Sequence, residues 1–228
     1  MKVLVSDKYL EKLSCLKPKG VGKEGKCYLP HNGNKLVKIF DEEYKVEKIN
    51  FVGLENSQIA FPIDTLYDKN GNLRGYTMYY LEGEKFINGF LENLKLQDLK
   101  QVYLKTRILM LKLKSIYMDD NCLENMLYDY QQNKINLIDT SRWYQEVDGE
   151  IKSINEFNWQ MMSALLKNIN WKQYKINHDK KLLDLYLTYK YTSFTGIESL
   201  FIEFLNELEL KVSEYKGEKV KTIKDLII

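Results

Sequence analysis

Apolar and polar residues alternate in short runs along the first third of the chain, which is the spacing typical of β-strands. Turn-forming residues separate the runs, and two Asn-Gly steps, at 32–33 and 70–71, are typical of tight hairpin turns. The pattern predicts two hairpins, with strands at residues 26–29, 35–40, 63–67 and 73–80. Residues 41–54 contain few helix breakers and begin with acidic side chains, so a helix is predicted between the hairpins.

After Leu81 the apolar residues recur every three or four positions, as on a helix with one buried face. Residues 96–117 are predicted as a helix whose buried stripe consists of Leu99, Val102, Tyr103, Ile108, Leu111 and Leu113. A short hairpin is predicted from residues 126–128 and 135–138. Two more helices, at 157–169 and 199–211, are predicted to follow capping boxes at 153–156 and 195–198.

The change at Leu81 divides the chain into two predicted parts. Residues 1–81 would form a small antiparallel sheet with one helix, and residues 82–228 a mostly helical part. We therefore expect an α+β fold with two lobes. A chain of 228 residues with 44% hydrophobic residues is large enough to give such lobes an apolar core.

The balanced charge of the chain argues against partners that are bound by overall charge. The chain has 34 Lys and Arg residues against 32 Asp and Glu, and a net charge of +2 is too small for bulk attraction to duplex nucleic acid or an anionic membrane. Cys15, Cys27 and Cys122 show no close spacing, which excludes a CxxC zinc site and a disulfide framework. No apolar run approaches the ~18 residues of a membrane span. We expect a cytoplasmic protein without a nucleic-acid or membrane partner.

A glycine cluster at residues 20–26 matches three phosphate-binding patterns through Gly20, Gly22 and Gly25. A dinucleotide-binding motif and a P-loop both require a helix directly after the cluster, and a P-loop also requires Ser or Thr where Cys27 stands. The third pattern is the turn of a β-hairpin folded over a nucleotide. It is favoured because strand-like residues follow Gly25. A lysine-rich surface turn without a function is the remaining interpretation.

Lys38 lies inside the apolar strand 35–40. Because side chains alternate between the two faces of a strand, Lys38 and Leu36 share a face, and Val37 and Ile39 lie on the other. If the face of Lys38 lines a cleft, its buried ammonium needs an anion.

Asp120 is followed by Asn125 five residues later, between a predicted helix and a predicted strand, and Asp139 directly follows the strand 135–138. Each of these residues alone could be a turn residue that caps a hairpin. In this order, behind a glycine hairpin and a lysine strand, they resemble the protein-kinase-like phosphotransferase superfamily. The resemblance extends along most of the chain and implies the two-lobed fold of that superfamily.

The resemblance also implies roles for these residues. Asp120 would be the catalytic base, Asn125 and Asp139 the Mg²⁺ ligands, and Lys38 the residue that binds the α- and β-phosphates of ATP under the glycine turn. Glu47 of the predicted helix would pair with Lys38, with Glu43 as its competitor. Met78 would lie beside the adenine, whose edge would bond to the backbone around Tyr80.

The chain departs from the family at several positions. Met118 and Asp119 replace the usual His and Arg, Thr140 and Ser141 replace Phe and Gly, and no Ala-Pro-Glu follows. Without that arginine, control by a phosphorylated activation loop is not expected. Whether Asp119 assists Asp120 stays open.

The expected function is ATP- and Mg²⁺-dependent transfer of a γ-phosphoryl group to a hydroxyl acceptor. A protein serine or threonine is slightly favoured as acceptor, because no acceptor-enclosing insertion of the kind found in aminoglycoside and choline kinases is present. A pseudokinase-like module for nucleotide binding or partner docking is the main alternative. A small-molecule kinase of the aminoglycoside or choline type and a P-loop NTPase are further ones. The prediction depends on four residues converging around one magnesium-bound triphosphate: Lys38, Asp120, Asn125 and Asp139.

Overall fold

The computed structural model describes residues 1–31, 33–41, 44, 48–86, 95–120, 123–168, 179–191 and 197–217. The chain divides into two compact units. The first consists of Met1–Glu82 with Asn136–Tyr144, and the second of Gly83–Ile135 with Gln145–Ile228. The described residues form five α-helices and a mixed sheet, so the predicted α+β class is confirmed. Within those ranges, no helix has the length and apolar character needed to cross a membrane.

The first unit is built on a six-stranded sheet with the order β1-β5-β6-β4-β3-β2. Its strands are β1 (Lys2–Leu4), β2 (Gly20–Val21), β3 (Gly25–Tyr28), β4 (Lys35–Phe40), β5 (Pro62–Tyr67) and β6 (Leu73–Tyr79). Both predicted hairpins are present, as the antiparallel pairs β3–β4 and β5–β6. The sheet is not purely antiparallel as predicted, because β1 pairs in parallel with β5.

The helix of this unit is not the predicted one. Helix α1 (Asp7–Ser14) follows Ser6, whose hydroxyl accepts the N–H of Tyr9 at 3.2 Å. The predicted helix at 41–54 is wrong over its described part, because residues 48–54 are not helical. The chain reverses there at Phe51, which has a φ of 57° and whose ring centroid lies 6.2 Å from that of Phe61. Residues 42, 43 and 45–47 lie outside the described residues.

Alternation along β4 divides the core of the first unit into two layers. Val37 packs with Leu13 of α1 on one face of the sheet. Phe40 packs with Tyr76 and Met78 on the other face. Lys38 therefore shares the second face with Leu36 and Phe40, as the alternation predicts.

The second unit is mostly helical. Its helices are α2 (Leu96–Leu111), α3 (Gly149–Asn168), α4 (Lys180–Tyr191) and α5 (Ile197–Lys216). The short strands of the remaining chain are β7 (Glu84–Lys85), β8 (Ile116–Tyr117), β9 (Met126–Asp129), β10 (Lys134–Leu137) and β11 (Tyr144–Gln145). They form two small sheets with the orders β10-β9-β7 and β11-β8, so the predicted hairpin after Asn125 is present. Tyr103 of α2 lies in the helical core, stacked on Phe157 at 5.7 Å between ring centroids.

Two helix predictions are wrong in their bounds. Helix α2 ends at Leu111, six residues before the predicted end, because residues 116–117 form strand β8 instead of helix. Its buried side continues through Leu109 and Met110, whereas the predicted core residue Ile108 is 51% exposed and Leu111 is also exposed.

Helix α3 starts at Gly149, four residues before the predicted cap Ser153. Ser153 therefore lies inside the helix, where its hydroxyl donates to the carbonyl of Gly149 at 2.9 Å. Helix α5 is confirmed, and the predicted cap residues Thr195 and Gly196 lie outside the described residues.

Candidate functional site

The glycine cluster forms the turn of a β-hairpin. Strand β2 pairs with β3 through Gly20 opposite Cys27, and the N–H of Gly22 donates to the carbonyl of Gly25 at 3.0 Å. The chain continues as strand β3 and then as β4, with no helix after Gly25. The dinucleotide-binding and P-loop interpretations both require that helix, and both are wrong.

Gly25 is needed for the contact between this turn and strand β4. A Cβ atom at Gly25 would lie 2.0 Å from the carbonyl oxygen of Ile39, a distance no side chain can adopt. The carbonyl of Glu24 also accepts the N–H of Asp41, just past the end of β4, at 3.0 Å. The turn is therefore held close to the strand that carries Lys38.

Lys38 lies at the centre of the sheet, between Cys27 of β3 and Tyr76 of β6. Only 4% of the residue is exposed. Its Nζ atom lies 5.7 Å from the ring centroid of Phe40 and 5.8 Å from that of Tyr76. The ammonium thus lies near two aromatic rings and away from water. Its positive charge therefore needs anionic partners to be stable there.

Two carboxylates supply those partners. Lys38 Nζ donates to Glu24 Oε2 at 2.8 Å and to Asp139 Oδ1 at 2.5 Å. Asp139 lies 101 residues further along the chain, yet it belongs to the same compact unit. The need for an anion, predicted from the strand pattern, is therefore met by Glu24 and Asp139. The predicted partner Glu47 and its competitor Glu43 lie outside the described residues.

Glu24 is bonded on both of its carboxylate oxygens. Tyr44 donates its hydroxyl to Oε1 at 2.6 Å, and Ser141 Oγ lies 3.1 Å from Oε2. The same Oγ lies 2.9 Å from Asp139 Oδ1. Since a hydroxyl carries one proton, Ser141 can donate to only one of the two carboxylates at a time. We call the five residues Glu24, Lys38, Tyr44, Asp139 and Ser141 the lysine cluster.

The lysine cluster holds its central ion pair in the charged form. Burial acts to lower the pKa of Lys38, but the charge and hydrogen bond of Asp139, with those of Glu24, raise it above its ordinary value. Burial acts to raise the pKa of Glu24, but hydrogen bonds from Lys38 and Tyr44 and the Lys38 charge lower it. Lys38 is therefore a permanent cation and not a general base at neutral pH.

Cys27, opposite Lys38 in the sheet, is not a candidate nucleophile. Burial raises the pKa of its thiol to about 11. A reactive cysteine needs the thiolate form, which this thiol does not reach at neutral pH.

Asp139 follows strand β10 in a left-handed backbone conformation, with φ 58° and ψ 59°. The next residues hold it in place: Thr140 Oγ1 donates to the carbonyl of Ala60 at 3.1 Å, and Trp143 packs edge-on against Phe61 at 5.8 Å. Asn50 also donates to the carbonyl of Trp143 at 2.9 Å. Asp139 thus has a positive φ that its neighbours stabilise by hydrogen bonds and packing. Such backbone strain at a non-glycine residue is often found at functional sites.

The predicted adenine-binding residues lie at the end of β6. Met78 is buried on the same face of the sheet as Tyr76. Tyr80 follows the strand and is exposed, and its N–H donates to the carbonyl of Asn34 at 2.9 Å. That N–H is therefore already bonded, and the predicted contact with adenine stays a prediction.

In the second unit, Asp120 and Asn125 contact each other. Asn125 Nδ2 donates to the backbone carbonyl of Asp120 at 2.9 Å and lies 3.4 Å from its Oδ2. Asp120 also has a positive φ, of 61°, and its N–H donates to Asp119 Oδ1 at 3.1 Å. Asp119 thus bonds to the backbone of the predicted base. The roles predicted for Asp120 and Asn125 stay predictions.

Helix α3 supports this segment with three polar side chains. Ser153 Oγ accepts the N–H of Met118 at 2.8 Å, Gln160 Oε1 accepts the N–H of Leu123 at 2.9 Å, and Tyr117 donates its hydroxyl to Glu156 Oε1 at 2.5 Å. The spacing of three and then four residues places these side chains on one face of the helix.

Each unit, taken by itself, offers an oxygen atom of the kind that Mg²⁺ prefers. Because the amide nitrogen of Asn125 donates to Asp120, its amide oxygen is the atom left for a cation. Asp139 Oδ2 accepts no hydrogen bond from the part of the chain that the structure describes. Within the same residues there is no group of three His, Cys, Asp or Glu side chains able to hold a metal. Mg²⁺ usually takes one or two protein ligands and completes its shell with water and phosphate oxygens.

Sequence reasoning missed Glu24, Tyr44, Ser141 and the support from Ser153. The one available signal for Glu24 was an acidic residue inside a phosphate-binding glycine pattern, where a carboxylate is unexpected. No periodicity applies within a turn, so the direction of its side chain could not be predicted.

Comparisons with models of protein families and with curated proteins gave no match for this chain. The functional conclusion therefore depends on the geometry of the lysine cluster and of the Asp120 segment.

Proposed function

We propose that the protein is an ATP- and Mg²⁺-dependent phosphotransferase of the protein-kinase-like superfamily, which moves the γ-phosphoryl group of ATP to a hydroxyl acceptor. The observation that carries the proposal is the buried ammonium of Lys38, bonded at 2.5 Å to Asp139, 101 residues away. Glu24, in the turn of the glycine hairpin, bonds to the same ammonium at 2.8 Å. Three motifs expected of a phosphate site thus lie in one cluster.

One N–H donor of the Lys38 ammonium is available to a ligand. Two of the three N–H donors of the ammonium bond to carboxylates, and the third has no partner among the residues described. Backbone N–H groups of a glycine turn are a second source of donors for phosphate oxygens. Because its raised pKa keeps Lys38 charged, this donor would form a charge-assisted hydrogen bond to a phosphate oxygen once a cation offsets the two carboxylates.

Each site residue would have a separate role in phosphate transfer. Lys38 would bind phosphate oxygens, and Asn125 and Asp139 would supply protein oxygens to the magnesium. When bound, Mg²⁺ would neutralise charge on the phosphates. Asp120 would accept the proton of the acceptor hydroxyl while the oxygen of that hydroxyl forms a bond to the γ-phosphorus. The bond from that phosphorus to the bridging oxygen would break, and ADP would leave with its electron pair.

A nucleotide-binding module without transfer is the second candidate. Glu24 favours it, because this carboxylate places a negative charge on the turn that would cover the phosphates. For the first candidate, a protein hydroxyl is preferred over a small molecule as acceptor because the chain has no acceptor-enclosing insertion.

The test compares the wild type with Asp139→Asn. We expect MgATP to raise the melting temperature of the wild type, and labelled phosphate from γ-labelled ATP to appear on the protein itself or in solution. Asp139→Asn should reduce turnover by about 10²–10³. Asp129→Asn is the matched control, since within the described ranges Asp129 accepts hydrogen bonds from the turn N–H groups of Gln131 and Gln132 and none from the lysine cluster. Binding without turnover would support the second candidate, and no binding of MgATP by the wild type would refute both.

A further inference from the structure

The lysine cluster contains one carboxylate with no assigned task. Glu24 is buried, with 9% of the residue exposed, and lies between two residues of the glycine pattern, Gly22 and Gly25. Its carboxylate accepts hydrogen bonds from Lys38 of β4 and from Tyr44, and the hydroxyl of Ser141, which it shares with Asp139, lies 3.1 Å from it. A surface residue of a lysine-rich turn would have no reason to be bonded this completely.

The bonds of Glu24 fix the orientation of the ammonium. A lysine side chain has four rotatable bonds, and Glu24 and Asp139 hold its end from two sides, at 2.8 and 2.5 Å. Two of the three N–H donors are thereby fixed in direction, so the direction of the third is fixed as well. Because Tyr44 and Ser141 hold Glu24 in turn, the orientation does not depend on a single contact.

The cluster also has a charge imbalance. One ammonium faces two carboxylates, so the group carries one net negative charge. A free triphosphate, which is strongly anionic, is repelled by such a group at short range. A divalent cation beside Asp139 would reverse the sign of the local charge, and Glu24 is the residue whose charge makes the cation necessary.

We propose that Glu24 is the positioning residue for Lys38 and that its charge makes nucleotide binding dependent on a divalent cation. This inference rests on the proposed function of the same site. It assigns to the glycine hairpin the role that the family resemblance implied for Glu47, or its competitor Glu43, of the predicted helix. The hairpin would then be coupled to the lysine, since the side chain that orients Lys38 is part of the turn itself.

The experiment measures two quantities on each variant: the dissociation constant for ATP by calorimetry, with Mg²⁺ and with EDTA, and the turnover of MgATP. The variants are Glu24→Gln, which removes the charge, and Glu24→Asp, which keeps the charge but shortens the side chain. Glu55→Gln is the matched control, because Glu55 is exposed in the same unit. Thermal unfolding of each variant reports whether it is folded.

The two effects of Glu24→Gln should have opposite directions. Metal-free ATP should bind about tenfold more tightly than to the wild type, because one like charge is removed. Turnover of MgATP should fall by about 10²-fold, because Lys38 is no longer held in place. Glu24→Asp should lose turnover but keep the cation requirement, and Glu55→Gln should match the wild type. A merely structural role would weaken metal-free binding and turnover together.

If Glu24→Gln does not fold, Tyr44→Phe serves instead. It removes the hydroxyl that holds Glu24 Oε1 and leaves every charge in place. Turnover should fall while the ratio of the two dissociation constants stays as in the wild type. An unchanged turnover would contradict the positioning role.

Other outcomes overturn the inference and leave the proposed function standing. One is a wild type that binds free ATP as tightly as MgATP. Another is Glu47→Gln producing both effects while Glu24→Gln produces neither. A wild type that binds no nucleotide under either condition would instead refute the proposed function itself.

Discussion

Gly75 of β6 packs directly against the backbone of Lys38. A Cβ atom at Gly75 would lie 1.9 Å from the carbonyl oxygen of Lys38, far inside the contact distance of two unbonded heavy atoms. Gly75 pairs with Ile39 in the ladder between β4 and β6. The absence of a side chain at Gly75 therefore allows the two strands to lie at their observed separation, and the position of Lys38 depends on it.

Gly75→Ala is expected to lower the free energy of unfolding by at least about 2 kcal/mol, because the strands must separate to admit the methyl group. Urea unfolding measures the loss. Gly20→Ala is the control in the same sheet, since its added Cβ would meet Cys27 Cβ at an ordinary 3.9 Å. If the two variants lost the same unfolding free energy, the close approach of β4 and β6 at Gly75 would not be the reason for the loss in Gly75→Ala.

Lys38→Met is expected to lower the stability by about 3 kcal/mol near neutral pH, because it leaves the buried carboxylate of Glu24 and the half-buried carboxylate of Asp139 without their cation. The pH dependence gives the sharper test. The pKa of Glu24 is lowered in the folded wild type, so its contribution to stability is complete above the ordinary value of 4.5 and is lost as the pH falls through the lowered pKa.

In Lys38→Met, burial is the main remaining influence and raises the pKa of Glu24, so acidification relieves the buried charge. The difference in unfolding free energy between wild type and variant should therefore shrink as the pH falls, starting above 4.5 at the raised pKa of the variant and ending at the lowered pKa of the wild type. Lys17→Met, at an exposed lysine of the same unit, should show no such trend. A difference that stays constant with pH would show that the ion pair of Lys38 and Glu24 is not formed in solution.

The hairpins of the first unit could be predicted because their signals are local. Two-residue alternation and the Asn-Gly steps predicted strand β4 with its observed bounds, and the same alternation predicted that Lys38 shares a face with Leu36. Strand β1 could not be found in this way. It has three residues, and its pairing with Thr65–Tyr67 of β5 is a contact between distant parts of the chain that leaves no local pattern.

The wrong helix at 41–54 and the missed Glu24 have a common physical origin. Composition favours a helix at 41–54, but packing of Phe51 on Phe61 fixes a turn with positive φ there. Tertiary contacts override local preference in this segment. Glu24 likewise takes its direction from Lys38, Tyr44 and Ser141, which are distant in the sequence. Of the candidate site, the residue types could be predicted from the sequence, but the partners of each side chain could not.

Tyr76→Phe is expected to leave the stability unchanged or raise it by about 1 kcal/mol. The hydroxyl of Tyr76 is buried and makes no hydrogen bond of ordinary geometry with the residues described, although the Ser141 hydroxyl lies near it, so its removal avoids an uncompensated desolvation cost. Tyr103→Phe is the matched control, because both tyrosines are fully buried and the hydroxyl of Tyr103 donates to Asn158 Oδ1 at 2.7 Å.

Tyr103→Phe should destabilise the protein by about 1–3 kcal/mol, since the buried amide oxygen of Asn158 loses its donor. Thermal and urea unfolding of the two variants measure the contrast. If Tyr76→Phe costs as much as Tyr103→Phe, the hydroxyl of Tyr76 has a partner in solution.

Ser153→Ala is expected to loosen the segment that carries Asp120. Its hydroxyl oxygen accepts the buried N–H of Met118, two residues before Asp120, so the substitution leaves that N–H without a partner. The free energy of unfolding should fall by about 1–3 kcal/mol, and hydrogen exchange at the Met118 amide should accelerate.

The effect of Ser153→Ala on activity depends on Asp120. If Asp120 is the base, phosphate transfer should fall more than MgATP binding, because proton acceptance requires the correct position of Asp120 and nucleotide binding does not. Ser14→Ala is the matched control, since Ser14 also donates to a carbonyl of its own helix, that of Glu11, but is exposed. A variant whose Met118 amide exchanges as slowly as in the wild type would show that helix α3 does not hold this segment through Ser153.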